Sequence, residues 1–198
     1  MICASFIKSK INKTLTYGHL KCGKCYACRM NKAREWALRL HWEDKMHAFS
    51  QFVTMTYAEE NCHWKISKFD GEPRKNIHYK DGTQFINSIR QAMKREGHPD
   101  IIRYFMICEY GKKNTRHAHW HVMLWGCPYD VNRLRRIWNK GNVHVGYIQP
   151  QSIAYVSGYT WKRQDEYVNK HGLNPEKPFM SKGKERGTGL GFNYVKQD

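Results

Sequence analysis

At 198 residues, with 40% hydrophobic residues and 14% aromatics, the chain is long enough for one core and too short for several domains. Its 34 Lys and Arg against 17 Asp and Glu give a formal charge of +17, spread along the chain, which points to a polyanionic partner. No window is long and apolar enough to span a bilayer and "MICASFIKSK" has no signal-peptide core, so the seven cysteines are expected as thiols or metal ligands in a reducing cytoplasm.

In chain order, "NKTLTYGHL" (residues 12–20) reads as a short strand. "MNKAREWALRLHWEDKMHAF" (30–49) reads as a long amphipathic helix, with Ala33, Trp36, Ala37 and Leu40 at helical period and a basic outer face. "QFVTMTY" (51–57) alternates as a strand does, and a polar stretch follows to Tyr79. Asp81 or Thr83 is placed to cap a second helix, in which Phe85, Ile86, Ile89 and Met93 share a face. "IIRYFMICEY" (101–110) and Ala118 to Trp125 are expected as an antiparallel hairpin across the turn "GKKNTR".

"DVNRLRRIWNK" (130–140) reads as a helix, "NVHVGYIQP" (142–150) as a strand, and residues 153–163 as a helix capped by Ser152. The Gly- and Lys-rich stretch after Asn169 is expected as an ordered loop or basic flap. This order predicts an α+β domain over residues 1–198 with a mostly antiparallel central sheet flanked by helices.

Three clusters carry chemistry. In "RHAHWHVMLWG", His117, His119 and His121 share one side of a strand, and Glu109 ends the partner strand. Glu109, His119 and His121 form a candidate three-ligand site for a catalytic divalent cation; the bland alternative is a solvated sheet face. In "AYVSGYTWKR", Tyr155 and Tyr159 stack four apart on a helix with Lys162 one turn on, either as nucleophiles beside the metal or as aromatic packing. In "KCGKCYACR", Cys22, Cys25 and Cys28, with Cys3 as a fourth thiolate, predict a metal-binding element within residues 1–30, zinc or its rival an iron–sulfur cluster. Cys62, Cys108 and Cys127 are scattered, as packing residues are.

"FVTMTY", "HAHWHVMLWG" and "YVSGYTWKR" resemble, in order and approximate spacing, the three motifs of HUH endonucleases, with Trp120 as the bulky residue between the histidines. With "CGKCYACRMNKAREWALRL", "CEYG" and "PFMSKGKERGTGLGF", the chain resembles replication initiators of the microvirus group, particularly the gokushoviruses, over most of its length. His117 departs from that pattern, standing where proline is expected, and His117 with His119 also satisfies His-x-His. The following "VMLWG" selects 119 and 121.

The resemblance implies an HUH fold and rolling-circle initiation: nicking of single-stranded DNA at a viral origin through a 5′-phosphotyrosine, in the cytoplasm of a bacterial host. It implies Mg2+ or Mn2+ at Glu109, His119 and His121, nucleophiles Tyr155 and Tyr159, and assistance from Lys162. Arg29, Arg34, Arg39, Arg133, Arg135 and Arg136 are candidate backbone contacts, and Trp64 and Trp138 candidate stacking platforms for unpaired bases. No phosphate-binding G-x-x-x-x-G-K-[ST] loop occurs, so a host helicase is expected beside the host polymerase. The competing readings are a non-catalytic zinc-stabilised nucleic-acid-binding protein and an HUH transposase.

Overall fold

Five strands of alternating or continuous apolar character assemble into one antiparallel sheet in the computed structural model, which describes residues 3, 7–10, 17–99, 101–111, 116–160, 166–183 and 189–192. The chain runs β1 (Ile7–Lys10), β2 (Tyr17–Leu20), α1 (Tyr26–Lys45), β3 (Ser50–Thr56), β4 (Trp64–Ile66), β5 (Pro73–Lys75), α2 (Tyr79–Arg95), β6 (Arg103–Tyr110), β7 (Ala118–Trp125), α3 (Val131–Trp138), β8 (Val143–Gly146), α4 (Pro150–Gly158), α5 (Glu166–His171) and β9 (Lys177–Met180). The sheet order is β8-β3-β7-β6-β9, while β1 with β2 and β4 with β5 form separate hairpins. The architecture is α+β, an antiparallel sheet with helices on both faces, as the element order predicts.

Strand β7 is central, and its period of two divides the core. Ala118, Trp120, Val122 and Leu124 face Val53, Met55, Met106 and Cys108 together with Phe85, Ile86, Ile89 and Met93 of α2 and Leu134 and Trp138 of α3. Met123 and Trp125 point to the other layer, with Phe105, Ile107, Leu40 of α1 and Ile153 and Val156 of α4. On α2, Phe85, Ile86, Ile89 and Met93 are all buried, as their spacing predicts. Gly82 follows from the same packing: a Cβ there would meet the Trp120 ring at 2.5 Å.

Several expectations need correction. The N-terminal strand is a hairpin of β1 and β2, and α1 starts at Tyr26, four residues early, with Cys25 as its N-cap. Asp81 caps nothing. It lies inside the first turn of α2, where its buried carboxylate accepts from the Tyr57 hydroxyl at 2.9 Å. The α4 N-cap is Gln149, with Ser152 completing a reciprocal capping box three residues on.

The tail after Asn169 is no simple loop: Lys177–Met180 pairs antiparallel with β6 as an edge strand. Further on, the Gly191 N–H donates to Glu43 at 2.7 Å and the Arg39 Nε donates to the Leu190 carbonyl at 3.1 Å. Glycine is required there, because φ is +72° and a Cβ would lie 2.4 Å from the Arg39 carbonyl oxygen. Trp138 is not an exposed platform; it is 2% exposed, and its indole N–H donates to the Thr56 carbonyl at 3.1 Å. Trp64 does stand out from the surface on β4.

Candidate active site

The hairpin register sets the geometry: Glu109 pairs with His119, and Ile107 with His121. On the other edge of β7, Thr54 pairs with His121 and Thr56 with His119. The odd-numbered residues of β6 and β7 therefore carry Glu109, His119 and His121 on the face covered by α1 and α4. There His121 Nε2 lies 3.0 Å from Glu109 Oε1, and its Nδ1 lies 3.1 Å from the Thr54 hydroxyl. Phe52 stacks on the same imidazole with ring centroids 5.7 Å apart, so its orientation is held from three sides.

Helix α4 brings the tyrosines in. The Tyr155 hydroxyl donates to Glu109 Oε1 at 2.6 Å and lies 3.2 Å from the Tyr159 hydroxyl, and its ring meets His121 edge-on at 5.3 Å. Tyr159 is the helix C-cap, one turn beyond Tyr155. Tyr155 is 43% exposed, so an incoming chain reaches its oxygen from solvent. Burial, then the Glu109 hydrogen bond and the negative charges of Glu109 and Glu176, raise its pKa well above the usual phenol value. Burial likewise lowers the His119 pKa against the pull of Glu109, which leaves that ring neutral, with a lone pair, at pH 7.

A cation fits part of this set. A hard divalent ion with donors at about 2.1 Å in octahedral geometry places neighbouring donors about 3.0 Å apart. Glu109 Oε1 and His121 Nε2 stand at 3.0 Å. Among the described residues, ligand atoms converge within 4.8 Å in three sets: Cys3, Cys22, Cys25 and Cys28; Glu59, Cys62 and His117; and His63, His78 and Asp81. Glu109, His119 and His121 are not among them, so His119 joins the pair only by turning its ring.

His117 belongs elsewhere. It lies 3.0 Å from Glu59, near Cys62 and against the Lys75 ammonium, which already supplies the positive charge of that cluster. Lys162 lies outside the described residues.

The arginines separate by layer. Arg34, Arg135 and Arg136 are exposed and Arg29 is half-buried. Arg39 is bound to the tail, and Arg133 pairs with Glu96 and stacks over Tyr129. Because α1 packs on the tyrosine-bearing layer and α3 on the opposite one, the arginines of the two helices do not share a face.

Sequence reasoning missed three residues of this region. Thr54 carries a signal in the strand alternation of "FVTMTY"; Glu176, whose carboxylate accepts from the Tyr110 N–H at 2.9 Å, sits in a stretch read as loop. Glu43, fully buried between Arg103, His47 and the Gly191 N–H, hides among the charges of α1.

Among the described residues, no helix is long and apolar enough to cross a membrane. One solved structure, the N-terminal nuclease domain of minute virus of mice non-structural protein 1, aligns over 81% of this chain and 77% of its own. Its identity is 10% and its TM-score 0.28, too low to carry an argument. Replication-associated protein ORF2 of Spiroplasma virus 4 is 31% identical over 195 residues, covering 89% of this chain and 57% of that protein. Replication-associated protein VP4 of Bdellovibrio phage phiMH2K is 29% identical over 177 residues, covering 80% and 53%. The chain thus spans little more than half the length of these relatives. The model of the replication-associated protein ORF2 family matches residues 50–164, from the first residue of β3 to beyond both tyrosines, and the chain belongs to that family.

Proposed function

We propose that the protein is an HUH-type replication initiator that nicks single-stranded DNA at a viral origin and stays attached through a phosphotyrosine, in the cytoplasm of a bacterial host. The observation that carries this reading is the meeting of Tyr155, Tyr159, Glu109 and His121 at hydrogen-bond distance on one sheet face, in a chain of charge +17. A divalent cation, Mg2+ or Mn2+, held by Glu109, His121 and a turned His119, supplies Lewis-acid polarisation of the scissile phosphate.

The rest falls to the chain. Tyr155 Oη attacks phosphorus in line, a Tyr–O–P bond forms, the P–O3′ bond breaks, and the departing oxygen leaves as a 3′ hydroxyl once protonated. Glu109 Oε1, already accepting the Tyr155 hydrogen bond, orients the phenol and draws on its proton. Tyr159, next to Tyr155, cleaves the regenerated origin in a second step, and the new 3′ hydroxyl displaces the first tyrosine. The free 3′ end suits a host polymerase, with a host helicase opening the duplex. Arg34 on the tyrosine-bearing layer is a phosphate contact of this path; Arg135 and Arg136, on the opposite layer, hold flanking DNA at most.

The test incubates the protein with Mn2+ and labelled single-stranded DNA containing the phage origin, and scores an adduct that survives SDS. The adduct is expected with the wild type, and to be lost in the Tyr155→Phe, Tyr159→Phe double variant and in His119→Ala. No adduct with the wild type, or one that survives the double variant, refutes the reading and favours a non-catalytic DNA-binding protein.

A further inference from the structure

Nothing in the nicking reaction uses the cysteines at the start of α1, yet they are the most closely gathered ligand set of the described residues. Cys3 and Cys28 are buried, and Cys22 and Cys25 half-buried. The Cys22 and Cys28 sulfurs stand 3.9 Å apart and those of Cys25 and Cys3 3.8 Å apart, with all four within 4.8 Å of one another.

These spacings have a particular meaning. A tetrahedron of sulfurs at a Zn–S bond of about 2.3 Å has edges of about 3.8 Å. In a four-iron cluster each thiolate sits on its own iron, so no two sulfurs form the edge of one metal's tetrahedron. The backbone is arranged for thiolate charge as well: the Cys22 N–H donates to Cys3 Sγ at 3.4 Å and the Cys25 N–H to Cys22 Sγ at 3.3 Å. Gly23, at φ +70°, makes the turn between them. Lys21 and Lys24, both exposed, flank the turn and offset the net negative charge of a four-thiolate zinc centre.

We propose that Cys3, Cys22, Cys25 and Cys28 hold one tetrahedral zinc ion that is structural and pins the N-terminal segment to α1. The consequence runs along the helix. Cys28 and Trp36 are eight residues apart, about 12 Å of helix. Trp36, Ala37 and Leu40 pack in the same cluster as Ile153, Val156 and Tyr159 of α4. The zinc centre thus anchors one end of the helix whose other half backs the tyrosine-bearing helix. It lies outside the chemistry while setting the position of α1.

The experiment needs no DNA, so its outcome is independent of the nicking reading. The protein, purified without added metal, is analysed by inductively coupled plasma mass spectrometry, exchanged with Co2+ for its absorption spectrum, and weighed intact under denaturing conditions. One zinc per chain is expected, with the strong d–d bands of tetrahedral cobalt thiolate. Cys3→Ser should lower zinc occupancy at least tenfold under competition with a chelator, Cys3→His should retain it, and Cys62→Ser should leave it unchanged. Iron in place of zinc, no metal with a mass four hydrogens short from two disulfides, or full zinc occupancy in Cys3→Ser would each overturn the proposal. If Cys3→Ser fails to fold, Cys3→His decides: loss of zinc there refutes tetrahedral ligation by residue 3.

Discussion

Tyr155→Phe separates the hydrogen bond at the site from its chemistry. The variant removes a 2.6 Å bond from a phenol to the Glu109 carboxylate and the 3.2 Å contact with Tyr159, while the ring keeps its place against His121. A hydrogen bond to a charged acceptor contributes about 1.5–3 kcal/mol when buried. Tyr155 is 43% exposed, so water replaces much of it and about 1 kcal/mol is the expected net loss. For a chain of this size that lowers Tm by roughly 2–4 °C in chelator-treated buffer.

A cation bound at Glu109 draws on the same carboxylate charge, so in saturating Mn2+ the difference between wild type and variant should fall below about 1 °C. The assay is paired thermal unfolding by circular dichroism, with and without Mn2+, on both proteins. An equal deficit in both conditions would show that Glu109 does not exchange the tyrosine for a cation, and would refute the shared-site reasoning.

Gly82→Ala should destabilise by about 1–3 kcal/mol although alanine is the better helix former, because the new Cβ meets the buried Trp120 ring at 2.5 Å; an unchanged or higher Tm would contradict this packing. Acid stability should depend on Glu43. Burial raises its pKa, but hydrogen bonds from His47, Arg103 and the Gly191 N–H outweigh that and hold it below 4.5. The stabilisation is therefore complete above the ordinary carboxylate range and is lost as pH falls from about 4.5 through the lowered value. Glu43→Gln should cost about 3 kcal/mol at pH 7 and flatten the denaturant-derived stability profile below pH 4.5, and an unaltered slope would refute the assignment.

Periodicity made much of the framework legible. The alternation of residues 51–57, the apolar run of 103–108 and the face of Phe85, Ile86, Ile89 and Met93 each carry a local signal, because burial on one face imposes a period of two or 3.6. The pairing of β6 with β7 follows from a short intervening turn, and with it the register of Glu109 against His119. The four cysteines were also readable, since metal ligation clusters residue types that chance does not.

Other features have no local signal. β9 is an edge strand whose reason to be extended is the open side of β6, far earlier in the chain. Glu43 looks like any other charge on a polar helix until Arg103 and Gly191 arrive from elsewhere. The alternate spacing of His117, His119 and His121 is uniform in sequence, and only Lys75, Glu59 and Cys62 draw the first of them away. Likewise the arginines of α1 and α3 look equivalent until the helices settle on opposite faces of the sheet. The amino-acid sequence by itself determined the antiparallel α+β framework and the residue types of the candidate site, because those follow from periodicity and side-chain chemistry along the chain. Tertiary structure alone decided which histidines, carboxylates and arginines work together, because that depends on distances between segments remote in sequence.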